Sequence, residues 1–248
     1  MKQIHTLSSL IVLFFMFQNF TLFDQTLNSK YKIDDKARRI NALELLGPQF
    51  KKSPAASEQT DSAFFNSEVH KIVKNNLSKK NKHQANEITK AILEESKKYS
   101  IDPIFIASII KTESAFNHLA KGTSGEIGLM QLMPKTADFI AQKIKMKNYN
   151  GTQTLKDPTL NIKLGVAYIN YLRLKFDNVA YKYVPAYNMG PGNLAKSIAK
   201  QKRPKDYPTK IIQFYEKFYQ QIHYAKIAQQ APLVDKQIDF KNEIPFAF

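Results

Sequence analysis

Apolar positions follow three regimes along this chain. Residues 1–23, MKQIHTLSSLIVLFFMFQNFTLF, cluster them: Lys2 gives a weakly positive start and Leu10 to Phe17 is a compact apolar stretch, the outline of a secretory signal. No A-x-A-like cleavage site follows. The interrupted run from Leu7 to Phe23 is marginal for spanning a bilayer, so an uncleaved anchor stands beside a cleaved signal as a reading. Residues 24–84 are polar, rich in Lys, Asn, Ser and Gln. Their pattern predicts one amphipathic helix, roughly Asp34 to Leu46, with Ile40, Leu43 and Leu46 on one side and Gly47-Pro48 ending it. The remainder reads as a linker, with SPAASEQTDS its least structured part.

From about Ala85 the spacing becomes helical throughout. Ile88, Ile92 and Tyr99 share one face of a first helix. Ser100-Ile101-Asp102-Pro103 then marks a break and a restart, because Asp is a good N-cap and Pro fits the first helical position. That second helix runs through Ile106, Ile109 and Ile110 to about Ser114. A third starts near Pro134 and carries Phe139, Ile140 and Ile144. A fourth starts after Asp157-Pro158, with Leu160, Leu164, Ala167, Tyr168, Tyr171 and Leu172 as a wide apolar stripe. Shorter helices follow near 180–188 and 193–200, and a long one from about 208 to 228. Strand signals are weak, so the fold class is mainly α. The boundaries expected are 1–23 signal or anchor, 24–84 linker, 85–220 a helical domain, and 221–248 the end of the last helix plus an extended tail.

Composition narrows the chemistry. The 248 residues contain no cysteine, which removes disulfides and thiolate metal sites, and five scattered histidines, no pair of which has helical ligand spacing. No metal is expected. The formal charge is +16. Such an excess suits nucleic acid, cell wall or anionic lipid equally. The lysines are spread along the chain and no nucleic-acid or nucleotide motif accompanies them, so a solvated basic surface is the simplest reading and no nucleic-acid partner is expected.

One acidic residue stands out against this background. Glu113 closes the second helix, where the macrodipole disfavours a carboxylate. Ile109, Ile110 and Phe116 are near in sequence and can supply apolar walls. Both effects would raise its pKa, and a carboxyl group kept protonated near neutrality suits protonation of a leaving oxygen. An ordinary solvated glutamate at a helix end is the competing reading. Beyond it, the Gly-rich loop 121–128 lets backbone approach a bound sugar. Ser124 is a candidate for a substrate hydrogen bond or a turn residue. Gln131, set among Leu129, Met130, Leu132 and Met133, needs polar partners if buried, from sugar hydroxyls or from the loop backbone. Met130 lines a cleft or packs in the core.

Glu113-Ser114-Ala115-Phe116-Asn117, Gly128-Leu-Met-Gln-Leu-Met-Pro134 and Ala186-Tyr-Asn-Met-Gly-Pro-Gly192 occur in that order. Together they resemble the SLT-type lytic transglycosylase domain, a lysozyme-like fold that cleaves peptidoglycan, over roughly residues 85–220. Asp157-Pro-Thr-Leu-Asn-Ile-Lys-Leu-Gly165 is similar to that family's helix between the second and third motifs. The resemblance implies a single acid, Glu113, that breaks the bond between N-acetylmuramic acid and N-acetylglucosamine without water, leaving 1,6-anhydro ends. It implies no cofactor, glycan strands of peptidoglycan as the partner, and an exported chain in the periplasm or envelope, with membrane association through the N-terminus if that segment is an anchor. It puts Tyr187 near Glu113, where a hydroxyl can orient the carboxyl group, with Asn188 beside it. Tyr207, in KDYPTKI, resembles a tyrosine that the family carries before its last helix. Four positions depart from the family pattern: His118 for proline, Gly122 for serine, Pro185 just before Tyr187, and Glu126 for a small residue. Glu126 opens an alternative, a lysozyme-like hydrolase with a second carboxylate to activate water. A wall-binding protein without turnover is the alternative from another class.

Overall fold

The computed structural model describes residues 31–230. The expected signal or anchor and the tail beyond residue 230 lie outside the described residues. Among those described, the chain is helical, with no strand beyond isolated bridges in one loop, and no helix is long and apolar enough to cross a membrane.

The helices are α1 (Asp35–Leu46), α2 (Ser62–Asn76), α3 (Ala85–Tyr99), α4 (Pro103–Ser114), α5 (Pro134–Lys143), α6 (Gly151–Lys156), α7 (Pro158–Lys175), α8 (Ala180–Met189), α9 (Pro191–Ala199) and α10 (Asp206–Gln230). The helix starts expected at Asp102-Pro103, Pro134 and Asp157-Pro158 are the starts observed. Asp102 caps α4 through Ile104 N, and Asp157 caps α7 through Thr159 N and Leu160 N, satisfying donors that a helix start leaves free. The short α6 has too few residues to show a period, and the pattern did not reveal it.

α4 lies at the centre. Ile104, Phe105, Ile106, Ala107, Ile109 and Ile110 are all fully buried, so this helix is apolar on every side and must be enclosed by others. α10 and α3 pack against it, α3 packs on α7, and α7 carries α8. Burial of each large aliphatic side chain stabilises by roughly 1.5–3 kcal/mol. Tyr215, Phe218, Tyr219 and Ile222 of α10 join the same core.

The polar N-terminal stretch differs from its expected form. α1 exists, but turned over: Ile40 and Leu43 are exposed, and the buried side chains are Arg38, Asn41, Ala42 and Leu46. Arg38 Nη1 donates to Ala55 O and to the Tyr219 hydroxyl at 2.8 Å each, Nη2 donates to Ser57 O at 2.6 Å, and Nε donates to Asp35 Oδ1 at 2.9 Å. Asn41 Oδ1 accepts from Asp102 N, and Arg173 forms two hydrogen bonds with Glu44. The polar face is inside because its partners are there, and apolar periodicity cannot register them. SPAASEQTDS is ordered for the same reason, with Ser53, Ala55 and Gln59 buried around Arg38. Residues 62–76, expected as linker, form α2, capped by Asp61, with Phe65, Val69, Ile72 and Val73 buried against α3 and α4.

Candidate active site

Glu113 sits in the last turn of α4, and the chain turns sharply after it. Ala115 and Phe116 both take positive φ, 51° and 66°, although neither is glycine. Phe116 is buried and Ala115 N donates to Lys111 O. Such conformations cost about 1–3 kcal/mol each and persist only where the surroundings enforce them. Ser114 supplies one such constraint: its Oγ donates to Leu129 O at 2.7 Å, tying the end of α4 to the loop 121–133.

That loop is a compact double turn. Gly122 N donates to Glu126 O, Gly128 N to Ala120 O, and Ile127 and Leu132 exchange two backbone hydrogen bonds. Asn161 of α7 organises it from beneath. Fully buried, its Oδ1 accepts from Met130 N at 2.8 Å and its Nδ2 donates to Ile127 O and Leu155 O at 3.0 Å each. Gly128 has φ +86°, and a Cβ there would lie 2.2 Å from Asn161 Nδ2, so no side chain fits on either ground. Sequence reasoning passed over Asn161, although an asparagine between Leu160 and Ile162 in an apolar stripe was a signal that something polar lay opposite.

The sequence-nominated residues take different places. Tyr207, in the first turn of α10, donates its hydroxyl to Glu113 Oε1 at 2.5 Å. Tyr187, buried on α8, donates to Met130 O at 2.9 Å and stacks tilted on Tyr168 at 5.3 Å. The hydroxyl bonded to Glu113 is thus Tyr207's; Tyr187 is near enough for the Glu113 charge to help raise its pKa, as expected, but its own hydroxyl is bonded to the loop. Gln131, at φ +45°, donates through Nε2 to Ala120 O and Gly128 O, so the loop backbone, one of the two partner sets expected, holds its amide nitrogen. Met130 is fully buried in contact distance of Gly165, so it packs in the core and does not line a cleft. Ser124 is exposed at the loop tip, and Asn188 is exposed near the end of α8. α8 continues through Pro185 without interruption.

Electrostatics single out Glu113. Its carboxyl pKa is raised from an ordinary 4.5 to about 7. Burial is the main cause; the Tyr207 hydrogen bond opposes it, and the negative charge of Glu126 adds to it. Glu126 itself is half-buried, with Oε2 accepting from Ser124 N at 3.0 Å. A Cβ at position 122 would lie 2.1 Å from that same oxygen. Glycine at 122 and glutamate at 126, two departures from the family pattern, therefore occupy one space, and the first makes room for the second. The arrangement is a carboxyl group with a raised pKa, hydrogen-bonded by one tyrosine and tied through Ser114 to a hydrogen-bonded loop.

Residues 90–209 match the family model described as Transglycosylase SLT domain. The chain is 35% identical over 113 residues to membrane-bound lytic murein transglycosylase E of Buchnera aphidicola, covering 43% of this chain and 51% of that protein. It is 34% identical over 145 residues to membrane-bound lytic murein transglycosylase C of Haemophilus influenzae, covering 55% and 40%. It is 36% identical over 90 residues to soluble lytic murein transglycosylase of Escherichia coli K12, covering 36% and 14%. The chain thus spans about half or less of the length of these curated relatives. The solved 70-kDa soluble lytic transglycosylase of Escherichia coli gives a TM-score of 0.46 at 21% identity, covering 75% of this chain and 33% of that one.

Proposed function

We propose that this chain, which belongs to the SLT-type lytic transglycosylase family through residues 90–209, cleaves the glycan strands of peptidoglycan in the cell envelope, without water, and with Glu113 as the only acid–base group. The observation that carries the reading is the carboxyl group at the end of α4, its pKa raised to about 7 mainly by burial, hydrogen-bonded by Tyr207 and tied through Ser114 to the loop 121–133. An export signal or anchor at residues 1–23 fits that location.

The steps follow from one group doing two jobs. Glu113 donates its proton to the oxygen between N-acetylmuramic acid and N-acetylglucosamine as the C1–O bond breaks. The substrate's acetamido group stabilises the positive charge developing at C1. The Glu113 carboxylate then takes the proton from the muramyl C6 hydroxyl as that oxygen attacks C1. Glu113 ends protonated again, the product carries a 1,6-anhydro ring, and no water is consumed. A pKa near working pH suits a group that must both give and receive. The Tyr207 hydroxyl holds the carboxyl rotamer and stabilises its anionic phase, and the Asn161-supported loop keeps its backbone groups fixed beside the sugar.

Glu126 supports a second reading. Its charge reaches Glu113, and most glycosidases use two carboxyl groups, so it can serve a hydrolase as the base for a water. Against this, one of its oxygens is held by Ser124 N. Mass analysis of digested peptidoglycan decides: anhydro-muropeptides are expected, and reducing muramyl ends would transfer the assignment to the hydrolase. Binding to peptidoglycan without release of soluble fragments would leave only a wall-binding role.

A further inference from the structure

The polar face of α1 is bonded to each of the four helices that serve the site, at a point away from it. Glu113 lies at the end of α4; at the start of that helix Asp102 N donates to Asn41 Oδ1 at 3.1 Å. Tyr207 lies in the first turn of α10; about three turns on, the Tyr219 hydroxyl accepts from Arg38 Nη1 and donates to Asp102 Oδ2. Asn161, which organises the loop 121–133, is near the start of α7; Arg173, in its last turn, pairs with Glu44. Tyr187 is one turn along α8 from Tyr183, whose hydroxyl accepts from Asn41 Nδ2 at 3.3 Å. α1 lies outside the residues 90–209 that match the family model, as do Tyr215 and Tyr219.

α4 and α10 are tied to each other twice. Asp102 to Glu113 and Tyr207 to Tyr219 each span about 17 Å of helix at 1.5 Å per residue, so the two ties together fix the register. The tie at Asp102 is the stronger. Two hydroxyls converge on one oxygen of a fully buried carboxyl group, and the charge of the buried Arg38 guanidinium favours its ionised form. The tie at Glu113 is a single hydroxyl. Without Arg38, burial would drive a proton onto Asp102, and a neutral carboxyl group is the weaker acceptor for both hydroxyls. α10 would then be free to shift, and the single bond at the other end is the one such a shift breaks.

We propose that Arg38 is a positioning residue for the reaction: acting through Tyr219 and Asp102, it sets α10 against α4 so that the Tyr207 hydroxyl stays on Glu113. The inference rests on Glu113 being the acid of the proposed chemistry, and it extends that chemistry to an arm outside the matched domain.

The test uses the full chain with Arg38→Met, Tyr207→Phe, the two together, and Tyr219→Phe, each assayed where melts show it folded. Arg38→Met should lower kcat on peptidoglycan about fivefold, less than Tyr207→Phe does, with KM unchanged. In the Tyr207→Phe background the same substitution should change kcat by less than about twofold, because the contact through which it acts is already gone. An NMR titration of the Glu113 carboxyl carbon reads the same coupling without turnover. The groups that titrate around it are Tyr207, Tyr187 and Glu126, and Arg38→Met replaces none of them. Its pKa should rise by about one pH unit in Tyr207→Phe, the scale of a lost hydrogen bond to a charged group, by less in Arg38→Met, and no further in the double variant. Tyr219→Phe keeps the ring and drops the hydroxyl between Arg38 and Asp102; it should reproduce Arg38→Met at a smaller size, and it decides the matter if Arg38→Met does not fold. Equal losses from Arg38→Met with and without the Tyr207 hydroxyl would overturn the proposal, since a lost charge acting directly on Glu113, or general loosening, gives that pattern. A destabilised Arg38→Met with unaltered kcat and unaltered carboxyl titration would overturn it too, leaving Arg38 a purely structural role. Should the unaltered protein not digest peptidoglycan, the catalytic reading fails by itself, and the carboxyl titration still decides whether Arg38 holds the tyrosine in place.

Discussion

Helix α4 carries a carboxyl group at each end, and the two are handled in opposite ways. Asp102 at the start is fully buried; Glu113 at the finish is half-buried. α10 runs antiparallel beside them and meets both with tyrosine hydroxyls: Tyr215 and Tyr219 donate to Asp102 Oδ2 at 2.7 Å each, and Tyr207 donates to Glu113. Burial raises the pKa of both. At Asp102, however, the opposing influences accumulate: the Arg38 guanidinium, two hydroxyls and the N–H of Ile104. At Glu113 only Tyr207 opposes burial, and Glu126 reinforces it. A carboxyl group that accepts three hydrogen bonds near a guanidinium is a structural joint. One with a single hydrogen-bond partner, at the negative end of a helix dipole, is the easier of the two to protonate.

The sharpest way to break this comparison is to remove the proton at one end. Glu113→Gln should fold normally and lose roughly 10²–10⁴-fold in activity, the scale of general acid–base catalysis. Its stability has a signed signature. Glu113 titrates near 7 in the folded protein against an ordinary 4.5, so between these values the native state holds more protons than the unfolded one. The stability of the unaltered protein therefore falls as pH rises through that window and levels off above it. Glu113→Gln lacks this loss, and denaturant melts should show it gaining on the unaltered protein at pH 8 relative to pH 4. Near-normal turnover in that variant would remove Glu113 from the chemistry.

At the other end, Arg38→Met should cost about 3–5 kcal/mol, because it leaves the buried Asp102 without its cation. Thermal or urea melts measure this. A loss under about 1 kcal/mol would mean that the polar arm is dispensable to the α4–α10 pair. Tyr207→Phe should cost roughly tenfold in activity, the worth of a hydrogen bond to a charged group. It should also move the descending limb of the pH–rate profile upward, since the carboxylate loses its one stabilising donor. The smallest effect is expected at Glu126→Gln. With a like charge gone, the limb should move to lower pH and most activity should remain. Limbs moving in the same direction in these two variants would contradict the electrostatic account, and an activity collapse in the second would favour the hydrolase.

Legibility in the sequence followed the kind of force involved. α4 and α7 announced themselves because their starts carry Asp-Pro and their interiors carry apolar residues, which are local signals. Glu113, the loop glycines and Gln131 could be nominated because they stand out from their immediate neighbours. α1 was found but its inner face was inverted. Ile40 and Leu43 have the right spacing for a core, yet Arg38 and Asn41 are the side chains with something to bond inside. Asn161 was missed for the same reason, as its three backbone partners lie on α6 and the loop 121–133.

The amino-acid order alone determined the helical class and the main breaks between helices, since propensity, capping and periodicity act over a few residues; Glu113 was chosen over an ordinary solvated glutamate only through the three motifs and the family they resemble. Which tyrosine reaches that acid, which face of α1 turns inward and how Gly122 and Glu126 share one space were decided only when distant segments packed. Hydrogen bonds and charge interactions in a desolvated interior depend on separations of a few ångströms between residues that can be more than a hundred positions apart, and no local pattern encodes them.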